Sequence, residues 1–114
     1  ILKNNNVLYF WPKDYSRIEN MTKRVRYLAH KFPDINFIGV DSQLDHDVWK
    51  TYVNKTRSNK NKQFQINEKV KDVYFTDGIP RAILLDKFGK IKSDYTYLTQ
   101  SNFESKLLLL QKNN

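Results

Sequence analysis

Apolar side chains along this chain follow two spacings, and their alternation outlines the elements. Asn6–Trp11 is a near-continuous apolar run closed by Pro12, the pattern of a central strand covered on both faces. Ile18, Met21, Val25, Leu28, Ala29 and Phe32 then recur at helical spacing until Pro33 stops the helix. Ser16 and Glu19 have the spacing of a capping box for that helix. Ile35–Val40 reads as a second strand, and Asp45 as the cap of a second helix with Val48, Trp49, Tyr52 and Val53 as its apolar stripe. Thr56–Gln63 is polar, basic and aperiodic, and reads as a loop, while Asn67–Lys71 suits a short helical turn. Arg81–Leu85 is a third strand and Lys90–Tyr95 a fourth, joined by the turn Asp86–Gly89, in which Gly89 is free to take positive φ. Ser101 and Glu104 form a second capping box, opening a helix to about Gln111.

The order β-α-β-α-(turn)-β-β-α predicts an α/β fold with a central mixed sheet of four to five strands, flanked by helices on both faces. In the last helix, Leu107–Leu110 is wider than one helical face. Phe103, Leu107 and Leu110 can share the core side, which leaves Leu108 or Leu109 on a flank.

Composition narrows the chemistry. The chain has 114 residues, enough for one domain with one core, and 14% of them are aromatic. No apolar run approaches the ~20 residues of a membrane span. The chain starts at Ile1, directly before a strand-like run, so residues 1–114 are expected to be a single domain of a longer protein. Twenty Lys and Arg against 12 Asp and Glu leave a net charge of +8, which permits nucleic acid, an anionic membrane surface or an acidic partner without requiring any of them. There is no cysteine, which excludes thiol–disulfide exchange and peroxidatic thiol chemistry.

Three segments carry a family resemblance. Asn6–Pro12 (Asn-Val-Leu-Tyr-Phe-Trp-Pro) resembles the strand leading into the active site of TlpA/ResA-type thioredoxin-like proteins, which are related to the AhpC/TSA group. Asn36–Asp41 resembles their next strand, and Gly78–Ile91 resembles their Gly-x-Pro segment, following strand, Asp-x-x-Gly turn and final strand. The resemblance implies a thioredoxin-like fold, a cis Ile79–Pro80 bond, and a further N-terminal hairpin upstream of Ile1. It also implies a Cys-x-x-Cys pair at the start of the first helix. Counted from Trp11, those two positions are held by Tyr15 and Ile18. The chain is therefore expected to be a redox-inactive member, a binding or scaffolding module with no catalytic residue and no cofactor. In such folds the rim beside the redox pair is where a partner's extended segment docks, and here it would comprise Trp11, Tyr15, Ile79 and Pro80. Tyr15 and Ile18 closing that groove is the equal alternative. The resemblance places the protein in the periplasm or cell envelope, a cytoplasmic setting being left open.

Other candidate sites have plainer explanations. Ser16 has no evident base, and its capping position accounts for it. Asp41, Asp45, His46 and Asp47 hold enough ligand atoms for a metal, yet their spacing fits no metal loop, and acidic residues are expected at a helix start. His30 suits a solvated helix C-terminus. The three glycines are isolated, so no phosphate loop is present. Lys23, Arg24, Arg26 and Lys31 on the first helix, with Lys50, Lys55, Arg57, Lys60 and Lys62 further on, read as a solvated surface. The alternative is an anion-binding domain acting on nucleic acid or anionic lipid through the loop at 56–62.

Overall fold

A computed structural model of the chain describes residues 4–12, 15–41, 44–59, 62–66 and 81–112, with the backbone alone at 94–96. The elements are β1 (Asn5–Phe10), α1 (Tyr15–Lys31), β2 (Ile35–Asp41), α2 (His46–Lys55), β3 (Gln63–Gln65), β4 (Arg81–Leu85), β5 (Ile91–Tyr97) and α3 (Phe103–Lys112). They build a mixed five-stranded sheet in the order β3-β2-β1-β4-β5. β1 runs parallel to β2, from Asn5 opposite Ile35 to Phe10 opposite Val40. β3 is parallel to β2, β4 antiparallel to β1, and β5 antiparallel to β4. The expected turn at Asn67–Lys71 and the Ile79–Pro80 bond lie outside the described residues.

The two parallel steps, β1-α1-β2 and β2-α2-β3, move the same way across the sheet. Right-handed crossovers then put α1 and α2 on one face, and the core bears this out. Val7, Tyr9 and Trp11 of the first strand and its extension share a face with Ile35 and Phe37 of β2 and Ala82 and Leu84 of β4. Onto it pack Ile18, Met21 and Leu28 of α1, Trp49 and Val53 of α2, and Phe103, Leu107 and Leu110 of α3. The apolar spacing predicted these helix faces apart from Ala29, which is exposed. The three described helices share one face of the sheet, where helices on both faces were expected. Both Leu108 and Leu109 are exposed, where one flanking residue was expected.

One strand escaped the pattern. Gln63–Gln65, read in part as loop, is β3. Its alternation is inverted: Phe64 is exposed, whereas Gln63 is buried in the core. The Gln63 amide is used at both ends. Its Oε1 accepts from Trp11 Nε1 at 2.9 Å, and its Nε2 donates to the Tyr9 hydroxyl at 2.6 Å. The bridge spans from β3 to β1 over Gly39 of β2. A Cβ on Gly39 would collide with Gln63 Oε1 and lie 2.8 Å from both Cζ and Oη of Tyr9. Glycine is needed here for space, not for backbone freedom.

Both capping boxes are displaced. α1 already includes Tyr15, so Ser16 sits inside its first turn. Tyr15 is held there by its ring stacking on Tyr52 of α2. α3 starts at Phe103, with the Asn102 carbonyl accepting from Lys106 N at 3.3 Å, one residue later than a Ser101 cap would give. Glu104 turns to Lys31 of α1 at 3.1 Å, and that pairing holds its carboxyl below the usual range. Asp45 does occupy the position before α2, but its side chain makes no capping hydrogen bond.

α2 ends in a Schellman turn. Ser58 N donates to Val53 O and Arg57 N to Asn54 O, which puts Arg57 in the left-handed region at φ 56. A side chain there costs roughly 1 kcal/mol relative to glycine. Gly89 takes the other positive φ among the described residues, 80°, in the β4–β5 turn, as its sequence context predicts. In that turn the buried Asp86 carboxylate accepts from the amides of Phe88 and Lys90, both at 2.9 Å.

Two outcomes follow. Gly39→Ala is expected to destabilise the fold by about 2–3 kcal/mol, read from urea denaturation, because the rigid Tyr9 ring cannot yield and the Gln63 bridge must break. The second concerns Asp86. Burial alone would raise its pKa, but the Lys90 and Phe88 amides and the charge of Lys92 outweigh it, and the pKa is lowered. Its stabilising contribution is thus present above the unfolded carboxyl value of about 3.9 and is lost as pH falls through the lower folded value. Asp86→Asn should show a flatter decline of melting temperature below about pH 4 than the parent.

Candidate functional site

The start of α1 divides the two positions where a redox pair would be expected. Tyr15 is 56% exposed and Ile18 is fully buried in the core. Residues three apart share a helix face, and both border the cleft. The difference in exposure arises because Ile18 reaches into the sheet-facing core while Tyr15, at the first position of α1, projects past the end of the sheet contact. Tyr15 stacks on Tyr52 of α2 with ring centroids 5.4 Å apart and planes at 25°. Lys55 Nζ lies 6.0 Å from the centre of the Tyr52 ring.

These residues line a cleft of about 370 Å³ between α1 and α2. Tyr15, Ser16 and Tyr52 are at one end, with Lys23, Arg26 and Lys55 further along. Among the described lining residues the one carboxylate is Glu19, an exposed group 3.5 Å from Lys23 Nζ, and there is no histidine. The wall is mainly aromatic and cationic, with Ser16, Thr22 and Thr56 adding hydroxyls.

Trp11 stands apart from Tyr15. It is fully buried, as is Pro12, and its indole N–H is bound to Gln63. Of the rim named from the sequence, Tyr15 is the exposed member among the described residues; Ile79 and Pro80 lie outside them. The apolar run of β1 placed Trp11 in a strand extension without showing which way it points. Its backbone N bonds to Val40 O at 3.0 Å, continuing the β1–β2 ladder, so its side chain follows Val7 and Tyr9 inward. Tyr52 contributes to the cleft but reads in the sequence as a core-stripe residue; its half-buried position at the α1–α2 contact is a tertiary outcome.

The acidic and histidine residues at 41–47 separate. Asp41 is buried and accepts from Leu44 N and, at 2.9 Å, from Gln65 Nε2. Gln65 Oε1 meets His46 Nδ1 at 2.7 Å, so this set ties β3 to the α2 start. Asp45 and Asp47 are exposed, and no metal-holding group of three side chains occurs among the described residues. His30 is exposed in the last turn of α1.

The basic residues spread over two sides of α1. Arg24 approaches the Leu98 carbonyl at 3.5 Å and Lys31 pairs with Glu104, whereas Lys23 and Arg26 face the α2 side. Lys62 donates to Asn36 Oδ1 at 2.9 Å, and Lys60 lies outside the described residues. No helix among the described residues is long and apolar enough to cross a membrane.

The comparisons with known proteins agree with this architecture. A family model described as thioredoxin-like matches residues 5–91. No curated protein matches the sequence. Among solved structures, the thioredoxin domain of a thiol-disulfide oxidoreductase from Bacteroides vulgatus superposes with a TM-score of 0.72 at 18% identity, over 95% of this chain and 80% of that one. A thiol-disulfide oxidoreductase from Bacteroides fragilis gives 0.72 at 19% identity, over 96% and 82%. A secreted Mycobacterium tuberculosis disulfide oxidoreductase, homologous to E. coli DsbE, gives 0.68 at 15% identity, over 99% and 84%. At these identities the likeness is one of fold.

Proposed function

The chain belongs to the thioredoxin-like family but has no cysteine with which to perform thiol chemistry, and from that premise we propose that it is a redox-inactive binding module of a cell-envelope protein. The single observation that carries this reading is Tyr15. At the helix start where a nucleophilic thiol would stand, the chain presents a large, half-exposed aromatic ring to an open cleft. A thiolate there would be stabilised by the helix N-terminus; a phenol ring supplies apolar contact area at low conformational cost instead.

The occupant this cleft suits is an extended peptide segment, with Tyr15 and Tyr52 as aromatic anchors and Lys23, Arg26 and Lys55 attracting acidic side chains along its length. On the family resemblance, Ile79 and Pro80 complete the rim beside Tyr15. The envelope setting is supported by the secreted M. tuberculosis structural neighbour.

Two measurements test the reading. The purified chain should give no disulfide reduction above buffer in an insulin-reduction assay with dithiothreitol; turnover above that background would overturn redox inactivity. Peptides selected against the chain by display panning should bind Tyr15→Ala about tenfold more weakly, with melting temperature little changed because Tyr15 is half-exposed. Selected peptides indifferent to Tyr15 and Tyr52 substitutions would remove the cleft as the docking surface.

A further inference from the structure

A second cleft lies on the same helical face, at the other end of α1. It is about 240 Å³ in volume, smaller than the roughly 300–1,000 Å³ of sites for drug-sized ligands. Its floor is apolar, with Val25 of α1 and Ile35 and Phe37 of β2. Its rim carries three cations, Arg26, Arg57 and Lys62, and no described lining residue is acidic. Arg57 and Lys62 belong to the one loop between α2 and β3, and the fold brings Arg26 of α1 to it. Among the described residues, neither Arg26 nor Arg57 has an ion-pair partner. Like charges around one cleft repel each other, and a bound anion would relieve that repulsion.

A second observation concerns Arg57. It sits in the left-handed position of the Schellman turn, where glycine would be unstrained. The turn's hydrogen bonds are all backbone and need no side chain at this residue. A guanidinium kept on a strained backbone is placed there at a cost to stability, and such outliers point to function. Neighbouring groups are also pre-positioned. Ser58 Oγ is 2.9 Å from Thr56 Oγ1, which donates to Tyr52 O at 2.6 Å, whereas the Lys62 ammonium is turned to Asn36, on the opposite face of β2 from Ile35 and Phe37. Tyr9 brings a phenol to the floor; burial pushes its pKa up to about 12, against the pull of the Gln63 hydrogen bond, so it stays neutral.

We propose that this cleft binds a small organic oxyanion, a carboxylate or phosphate monoester carrying one ring or short apolar chain, with Arg57 and Arg26 on the oxyanion and the apolar part on Val25, Ile35 and Phe37. The guanidinium fork matches either oxyanion. This goes beyond peptide docking at Tyr15; Arg26 borders both clefts but Arg57 only this one, so a change at Arg57 separates the two readings.

The test is a calorimetric titration of the intact chain at low ionic strength with phenyl phosphate, benzoate and inorganic phosphate. Saturable one-site binding is expected for phenyl phosphate or benzoate, with a dissociation constant below about 1 mM. The tighter of the two identifies the source of the oxyanion, and inorganic phosphate should bind more weakly than phenyl phosphate for want of the apolar part. Arg57→Gly should weaken binding at least about tenfold while melting no lower than the parent, so that lost affinity cannot be lost folding. Lys87→Gln removes the same unit of charge from the β4–β5 turn and should leave affinity unchanged. The proposal is overturned if neither organic anion saturates, if inorganic phosphate binds as tightly as phenyl phosphate, or if Lys87→Gln weakens binding as much as Arg57→Gly. It is equally overturned if only a single-stranded oligonucleotide binds, since that would mark diffuse polyanion attraction.

Discussion

The buried amide of Gln63 is the interaction on which the helical face of this domain is organised. A primary amide without partners inside a core costs several kcal/mol, so it can be buried only where both of its ends are satisfied. Here Trp11 donates to its oxygen and Tyr9 accepts from its nitrogen. That demand fixes three strands at once. Gln63 must lie beside Gly39, Gly39 must lack a side chain, and the aromatic rings of Tyr9 and Trp11 must turn inward. The short strand β3 makes few backbone bonds of its own, and this side-chain bridge anchors it to the centre of the sheet.

From that anchor the two clefts follow. β3 held against β2 requires the chain leaving α2 to turn back sharply, and the Schellman turn at Arg57 does this. The turn carries Arg57 and Ser58 over the sheet face beside α1, where Arg26 and Lys62 meet them. At the opposite end, placing α1 and α2 on one face brings Tyr15 against Tyr52. A domain without cysteine keeps in this way the sheet-and-helix architecture of the thioredoxin-like family. The cleft beside Tyr15 is lined with aromatic and cationic groups.

Much of the fold was legible in the sequence because burial repeats with the period of the element. The stripe at Ile18, Met21, Val25 and Leu28 gave the inward face of α1, and Phe103, Leu107 and Leu110 that of α3. Gly89 after Asp86 announced its turn, since the side-chain hydrogen bonds there are local. β3 was not legible. Its buried residue is polar and its exposed residue is phenylalanine, so a pattern that equates apolar with inside reads it backward. The capping boxes misled for a related reason. Ser16 and Glu19, and Ser101 and Glu104, have the right local spacing, but Tyr15 and Glu104 found better partners on other elements.

What the sequence determined by itself was composition and periodicity: no thiol to react, an α/β order of elements, and Tyr15 and Ile18 at the two positions where sulfur is absent. These are properties of single residues or of near neighbours, and they do not depend on how the chain closes. The tertiary structure alone decided that Tyr15 faces a cleft while Ile18 and Trp11 are buried. It alone brought Arg26 of α1 beside the loop that carries Arg57 and Lys62, around one small cavity. Such outcomes depend on contacts between residues far apart in the chain, whose mutual placement is set by the packing of helices on the sheet and leaves no periodic trace along the sequence.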